Sequence, residues 1–314
     1  MKDFLPTKKG CNSKWFALFA AIVLTIQLQA QNEPIVAHYL YHTHVFNPAA
    51  AGNVRDITVG ALARQQWVGF KEAPSTQLLD AYGYIPKAKS GIGLVFVNDM
   101  LGKEGSISLR ASYAYCQKIN DKARLSFGLS FGFLNRYVKG DQYIYDETGD
   151  LESVNNRMNK WKPYIGAGIE FNGYNFTAGF SVTNIDQPLK SATTFRVPMH
   201  YFGYAKYSWD INNNINFTPG VFVRSAGFIT QAEINLSTTF KKRVTAGLFY
   251  RTVDAAGAML GVYIVKGLLV SYSYDFDFGK LSKYQLGSHE VNLIYRFGGV
   301  KSKDVSYKSP RYAN

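Results

Sequence analysis

Apolar residues recur at every second position along most of this 314-residue chain, which is the alternation of β-strands with two chemically different faces. The pattern is clearest over residues 125–133, where leucine and phenylalanine alternate with serine and glycine. It recurs over residues 106–117, with Leu109 on one face and Arg110 on the other. No comparably strong helical periodicity competes. The chain is therefore predicted to be all-β.

Two architectures satisfy this alternation: a soluble sandwich or barrel with apolar residues inside, and a transmembrane barrel with apolar residues outside. The apolar segments are about 9 to 13 residues long, near the length that crosses a bilayer and longer than most soluble strands. Aromatic residues such as Trp161 and Trp209 lie at segment ends, as at membrane interfaces. The pattern favours the transmembrane architecture.

About fourteen such segments are expected, which is an even number, and short and mostly longer connections alternate between them. The prediction is a transmembrane antiparallel β-barrel of about 14 strands with short periplasmic turns and longer extracellular loops. The strands are expected to begin near Ile57, Gln77, Ile92, Ser106, Leu125, Trp161, Tyr174, His200, Ile215, Phe228, Val244, Ala256, Leu268 and His289.

The two ends of the chain differ from this pattern. A basic region and an apolar stretch over residues 15–28 predict a signal peptide, residues 1–30, cleaved near Ala30. We expect an N-terminal periplasmic or plug segment over 31–54, the barrel over 55–297 and a periplasmic tail over 298–314. The expected location is the cell outer membrane, as an integral protein.

Composition argues against several function classes. The net charge of +13 is scattered among aromatic residues and forms no basic stripe, so no nucleic-acid partner is expected. Five histidines and two cysteines show no metal-ligand spacing, and Cys11 falls in the signal peptide. No Gly-x-Ser-x-Gly elbow is present. We expect no enzyme activity, no metal and no cofactor.

Charged residues of both signs occupy the alternate strand positions that are predicted to face the lumen. These residues either pair inside the barrel or line the constriction of a porin, and whether the lumen is open or plugged stays open at this stage. The candidate lumen charges are Arg110, Glu170, Glu233, Arg251, Asp275 and Arg296.

Several motifs in order resemble the PorP/SprF family of outer-membrane proteins of the type IX secretion system of Bacteroidetes. They are Asn-Pro-Ala-x-Ala-Gly over residues 47–52, QWVGF over 66–70, and the stretches 91–94, 97–99, 287–290 and 295–297. The signature residues, of unassigned role, are Asn47, Pro48, Gly52, Trp67, Gly69, Phe70 and Pro74.

The resemblance implies a non-enzymatic outer-membrane component of type IX secretion or gliding that aids secretion or surface attachment of cargo proteins. Its implied partners are outer-membrane lipid, periplasmic components of that machinery and secreted surface cargo. The alternative from a different class is an outer-membrane diffusion channel or uptake porin.

Charge is distributed unevenly between the two predicted sides of the membrane. The expected periplasmic turns and terminal segments hold thirteen basic and four acidic residues, whereas basic and acidic residues balance in the outer connections. One explanation is attraction to anionic lipid headgroups or a block to translocation of these turns. The other is a docking face for an acidic periplasmic partner. The candidate docking turn is Lys241, Lys242 and Arg243.

Overall fold

The computed structural model describes residues 34–54, 56–139, 158–185, 197–226, 229–252, 255–278, 282 and 284–297. The predicted signal peptide, its cleavage site near Ala30 and the tail over 298–314 lie outside these residues. Among the described residues, no helix has both the length and the apolar composition needed to span a membrane.

Fifteen strands account for most of the described chain, with little helix. The helices are α1 (Thr43–Phe46) and two 3₁₀-helices, Pro48–Asn53 and Pro86–Ala88. The strands are β1 (Ile57–Gln65), β2 (Ser75–Ile85), β3 (Ser90–Leu101), β4 (Glu104–Asn120), β5 (Ala123–Val138), β6 (Met158–Gly173), β7 (Phe176–Thr183), β8 (His200–Tyr207), β9 (Trp209–Asn212), β10 (Ile215–Ser225), β11 (Thr230–Phe240), β12 (Val244–Arg251), β13 (Ala255–Val265), β14 (Leu268–Asp277) and β15 (Ser288–Phe297).

The strands form one closed antiparallel sheet. Apart from β8 and β9, each strand pairs with its neighbours in the chain, and β1 pairs with β15 from Ile57 opposite Phe297 to Gln65 opposite His289. Strands β8 and β9 both pair with β10 and are separated only by Ser208, so together they make one wall element. The result is a closed barrel of 14 strands, which confirms the fold predicted from the alternation.

The two faces of the barrel wall have the polarity expected in lipid. Along β5, Leu129 is 65% exposed and Phe131 57%, whereas the alternate residues Ser126 and Ser130 are buried. Apolar side chains therefore face outward, and small and polar side chains face the lumen. This is the reverse of a soluble barrel, whose apolar residues would be inside.

The two ends of the barrel differ in their connections. At one end, here called the turn end, no connection exceeds four residues. The opposite end, here called the loop end, carries the β1–β2 connection (residues 66–74) and the β14–β15 connection (278–287). Since β1 starts and β15 finishes at the turn end, the barrel begins and ends there.

Expected strand starts lie within three residues of those in the structure, apart from Phe228, which lies outside the described residues. One start was placed too early. Tyr174 and Asn175 adopt positive φ angles of 54° and 62° and form the turn before β7. Alternation alone cannot mark such a boundary, because an aromatic residue in a tight turn continues the apolar period of the strand.

Candidate functional site

The lumen of the barrel is occupied by residues 34–54, here called the lumenal segment. Every residue from Val36 to Gly52 is buried. The segment starts near the loop end, where Arg224 donates a hydrogen bond to the carbonyl oxygen of Pro34 at 3.3 Å. It finishes near the turn end, where Ser126 donates to the side chain of Asn53 at 2.9 Å. The chain therefore runs the length of the lumen before β1 begins.

Residues 34–42, the loop-end half of this segment, are held by the carboxylate of Glu290 on β15. Glu290 accepts hydrogen bonds from the main-chain N–H groups of Ala37 and His38, both at 2.9 Å. Its Oε1 also lies 2.6 Å from Nδ1 of His38. One carboxylate thus fixes two successive peptide groups and a side chain, which sets the position of the segment relative to the last strand.

Glu290 belongs to a buried row of alternating charges on the lumen wall. Arg64 bridges Glu290 at 3.2 Å and Asp275 at 2.7 Å. Arg251 then bridges Asp275 at 3.0 Å and Glu233 at 2.7 Å. All five side chains are almost completely buried, so each charge depends on its neighbours for compensation.

His42 ties the same half to the strands that flank β1. Its Nδ1 lies 2.7 Å from Oδ1 of Asp80 on β2, and its Nε2 lies 2.7 Å from Oδ1 of Asn292 on β15. The Asn292 amide nitrogen donates to Ser271, which fixes the orientation of that amide. Both ring nitrogens of His42 therefore face acceptors, and a doubly protonated ring beside the Asp80 carboxylate satisfies both.

Residues 43–53, the turn-end half, are held in place by close packing against the wall more than by charged groups. A Cβ atom at Gly128 would lie 2.2 Å from the main-chain nitrogen of Ala49, and one at Gly91 would lie 2.0 Å from the carbonyl oxygen of Ala51. Such separations are far below van der Waals contact, so glycine is required where the segment meets the wall.

The side chain of Asn47 fixes the start of this half. It accepts a hydrogen bond from the N–H of Ala49 at 2.9 Å and donates to the carbonyl oxygen of Ile169, also at 2.9 Å. It also donates to the hydroxyl of Tyr204 at 3.2 Å, and that hydroxyl donates to Glu170. Asn47 therefore caps the 3₁₀-helix Pro48–Asn53 and attaches it to two strands at once.

The family-signature residues fall into two separate groups. Asn47, Pro48 and Gly52 belong to the turn-end half of the lumenal segment. The others lie in the β1–β2 connection at the loop end and are Trp67, Gly69, Phe70 and Pro74.

That connection is joined to the β14–β15 connection by two main-chain hydrogen bonds. Val68 donates to Gly287 at 2.9 Å and accepts from Leu286 at 2.7 Å. Trp67 and Gly69 have positive φ angles of 45° and 93° around this junction. The motif therefore links the first and last loop-end connections, far from the Asn47 group.

The candidate lumen charges are only partly brought together. Glu233, Arg251 and Asp275 belong to the buried row, whereas Glu170 lies near the turn end and accepts from Asn53 at 2.8 Å. The remaining two are Arg110, which donates to Tyr164 at 2.5 Å, and Arg296, which is partly buried near the turn end.

Sequence reasoning missed Arg64, Asp80, His38 and His42, which carry much of this site. Arg64 and Asp80 share the lumen parity of their strands, so alternation could have identified them. The signal for the histidines was the concentration of three of the five in residues 38–44.

The candidate docking turn lies at the other end of the molecule from the charge row. Lys241 and Lys242 have positive φ angles of 46° and 55°, and all three basic side chains of the turn are exposed. In the turns that join strands at this end, seven residues are basic and one, Asp121, is acidic.

A small cavity next to Arg110, Tyr164 and His44 has room for about one water molecule. Among the described residues, no group of three His, Cys, Asp or Glu side chains is arranged to hold a metal ion.

Comparisons with known proteins give a family and a fold. Residues 28–295 match the family described as type IX secretion system membrane protein PorP/SprF. No curated protein matches the sequence.

The similar solved structures are outer-membrane barrels. The CymD monoaromatic hydrocarbon channel shares 11% identity at a TM-score of 0.50, covering 86% of this chain and 95% of that one. Omp33 of Acinetobacter baumannii shares 9% identity at a TM-score of 0.48, covering 77% and 99%. The toluene transporter TbuX of Ralstonia pickettii shares 10% identity at a TM-score of 0.47, covering 82% and 93%. At these identities the likeness concerns the fold alone.

Proposed function

Because the chain belongs to the PorP/SprF family of type IX secretion system membrane proteins, we propose that it is a non-enzymatic outer-membrane component of that secretion or gliding machinery. In this role it aids the secretion or surface attachment of cargo proteins, after removal of a signal peptide near Ala30. Its partners are outer-membrane lipid, periplasmic subunits of the machinery and the cargo. The observation that carries the proposal is the family match over nearly the whole chain.

The filled lumen supports this role over a diffusion channel. Porins conduct solutes through a water-filled lumen, whereas here residues 36–52 are buried within the barrel. The charges of the buried row pair with one another, and Glu290 also accepts hydrogen bonds from the segment, which argues against an aqueous constriction lined by these residues.

The turn end is the proposed docking side for an acidic periplasmic partner. Exposed Lys241, Lys242 and Arg243 form a three-residue turn in a surface where basic side chains outnumber acidic ones. Ion pairs occur at both ends: Lys103 pairs with Glu72 at 2.7 Å and Arg136 with Glu104 at 3.7 Å at the loop end, and Lys118 pairs with Asp121 at 2.5 Å at the turn end. Long-range attraction to an acidic surface would speed association and weaken with salt.

The test is recovery of crosslinked periplasmic partners from native membranes. Lys241→Asn/Lys242→Asn/Arg243→Ser removes the charge, and asparagine tolerates the positive φ angles of the first two positions. The matched control is Lys87→Ser/Lys122→Ser/Lys266→Ser, which removes three exposed lysines from other turns of the same end.

We expect partner recovery to fall severalfold in the first variant and to stay near wild type in the control, with folded barrel at normal abundance in both. An equal fall in both variants would show that recovery depends on the basic charge of the whole end and not on this turn. No loss in either would exclude docking through this turn.

A further inference from the structure

Side chains of the lumen wall form hydrogen bonds with main-chain atoms of the loop-end half of the segment. Glu290 accepts from the N–H groups of Ala37 and His38. Arg224 and Lys206 donate to main-chain carbonyl oxygens of the same half at 3.3 and 2.9 Å. Contacts of this kind recognise the course of a peptide and not its side chains. Another peptide in the same conformation can therefore make them.

The wall beside this half also holds polar groups that the segment leaves unused. Neither side-chain amide atom of Asn235 has a hydrogen-bond partner among the described residues, and the residue is fully buried. The hydroxyl of Ser273 and Oε1 of Glu233 are likewise buried without a partner in the described part of the chain. Buried polar groups are normally paired, so an unpaired cluster indicates capacity for a ligand.

Register places Asn235 and Ser273 around Ala37. Asn235 lies opposite Phe249, and Ser273 lies opposite Met259, in neighbouring strand pairs. Ala37 packs against both Phe249 and Met259. The segment thus presents a methyl group where the wall offers hydrogen-bonding groups.

Leu40 is a second apolar side chain of the segment that lies beside a hydrogen-bonding group of the wall. Asn235 lies opposite Gly220 on β10, and the side chain of Leu40 fills the space above that glycine, 2.8 Å from where its Cβ would be. The side chain of Leu40 is apolar and offers Asn235 no hydrogen-bonding group. Leaving a buried amide unpaired costs free energy, whereas supplying a partner recovers it.

We propose that the loop-end half of the lumen is a peptide-binding site, in which residues 34–42 act as a replaceable occupant. The preferred ligand is a polypeptide segment that adopts the same turns as residues 37–41 and has polar side chains at the two positions that Ala37 and Leu40 hold. Such a segment makes the same main-chain contacts and adds hydrogen bonds to Asn235 and Ser273. The inference concerns the purified barrel and does not depend on the secretion role or on the basic turn.

The test measures binding of synthetic peptides to the purified full-length protein. His38→Ala/His42→Ala weakens the hold on the chain's own segment and leaves the wall groups intact. The probes are a fluorescent peptide of residues 33–44 carrying Ala, in place of histidine, at positions 38 and 42, the same peptide with Ala37→Ser/Leu40→Gln, and a scrambled peptide. We expect the polar peptide to bind about tenfold more tightly than its parent, since two neutral hydrogen bonds are gained.

Asn235→Leu supplies the matched control because it removes the unpaired amide at similar volume. It should abolish the advantage of the polar peptide while leaving the parent peptide bound as well as before. Glu290→Gln should weaken both peptides, because it removes the charge that accepts the two N–H groups. Equal affinity of the polar and parent peptides, or binding no stronger than the scrambled peptide, would overturn the inference.

A measurement within the chain covers the case in which the double histidine variant does not fold. Ala37→Ser/Leu40→Gln in the otherwise wild-type protein should slow proteolysis of residues 34–42 severalfold. The same pair of changes in an Asn235→Leu background should give no slowing. Equal proteolysis rates with and without the polar residues in the wild-type background would contradict the proposed use of Asn235.

Discussion

Residues 34–42 are held by charged and hydrogen-bonding side chains of the lumen wall, whereas the main chain of residues 43–53 packs against glycines of the wall. In the first half, Glu290 and Asp80 receive the histidines and peptide groups of the segment. In the second, Gly91 and Gly128 leave room for the peptide backbone itself. Residues 34–42 are thus held by hydrogen bonds and ion pairs that another peptide could form. Residues 43–53 are held by close packing that leaves no room for a side chain at the wall glycines.

The largest expected effect comes from adding a side chain where the main chain of the turn-end half packs against a glycine of the wall. Gly128→Val places a side chain against the nitrogen of Ala49, which a rigid backbone cannot avoid. Overpacking against main chain should cost more than about 3 kcal/mol and prevent seating of residues 43–53. The measurement is the yield of heat-modifiable barrel, together with protease cleavage within the segment.

Gly203→Val is the control for that change. Gly203 lies on β8, and its Cβ position has no heavy atom within 4 Å. This variant should fold with normal yield. If Gly128→Val also gave normal yield and a protected segment, the steric account of the turn-end half would be wrong.

The next effect concerns the charge row. Arg64→Ala leaves Glu290 and Asp275 without one of their bridging cations in a buried site. Breaking a buried pair in this way should cost about 3–5 kcal/mol in the free energy of unfolding. Urea unfolding in lipid or detergent checks the value. A loss below about 1 kcal/mol would mean that the loop-end half is not held by charge.

A smaller effect is expected for His42→Ala. The change removes two hydrogen bonds, one of them to a carboxylate, and should cost about 2–3 kcal/mol. The loss should fall on the loop-end half alone, so that protease cleaves within residues 34–42 while residues 43–53 stay protected. Planar-bilayer recordings should show brief openings in this variant and a closed wild-type protein. If protease cleaved residues 34–42 and residues 43–53 equally in this variant, the two halves would not be held independently.

The smallest effect is expected for the exposed pair at the loop end. A hydrogen bond from Lys103 holds the pKa of the Glu72 carboxyl below its ordinary value. Its contribution is therefore present above the ordinary pKa of a glutamate and is lost as the pH falls through the lowered one. Lys103→Ala should leave the unfolding midpoint at neutral pH unchanged within error, because solvent screens the pair. A clear shift would show that exposed pairs matter here as well.

The barrel was predictable from sequence because one rule applies along its whole length. A strand in lipid needs apolar residues at every second position, and residues 125–133 show this directly. The alternation also anticipated inward-facing Arg110, Glu233 and Asp275, whose neighbours on each strand face lipid. It could not place the break at Ser208 between β8 and β9, since the apolar period continues across it.

The partners of the lumen residues were beyond this reasoning. Which charges meet depends on strand register around the closed sheet, and alternation does not determine register beyond adjacent hairpins. Arg251 reaches Asp275 across β13, and Arg64 reaches Glu290 across the closing pair β1–β15. The position of the lumenal segment depends on which glycines of four or more strands lie side by side and leave space for it. Only the folded barrel reveals this.

The course of the lumenal segment imposes an order on biogenesis. Pro34 lies at the loop end and Val54 precedes β1 at the turn end, so the segment spans the lumen while its contacts bridge β15 and β2 on either side of the closing seam. A sheet that closed first would have to admit this chain through a lumen it nearly fills. A segment already in place instead offers β2 and β15, both of which His42 contacts, a common template against which the last pairing, of β1 with β15, can form.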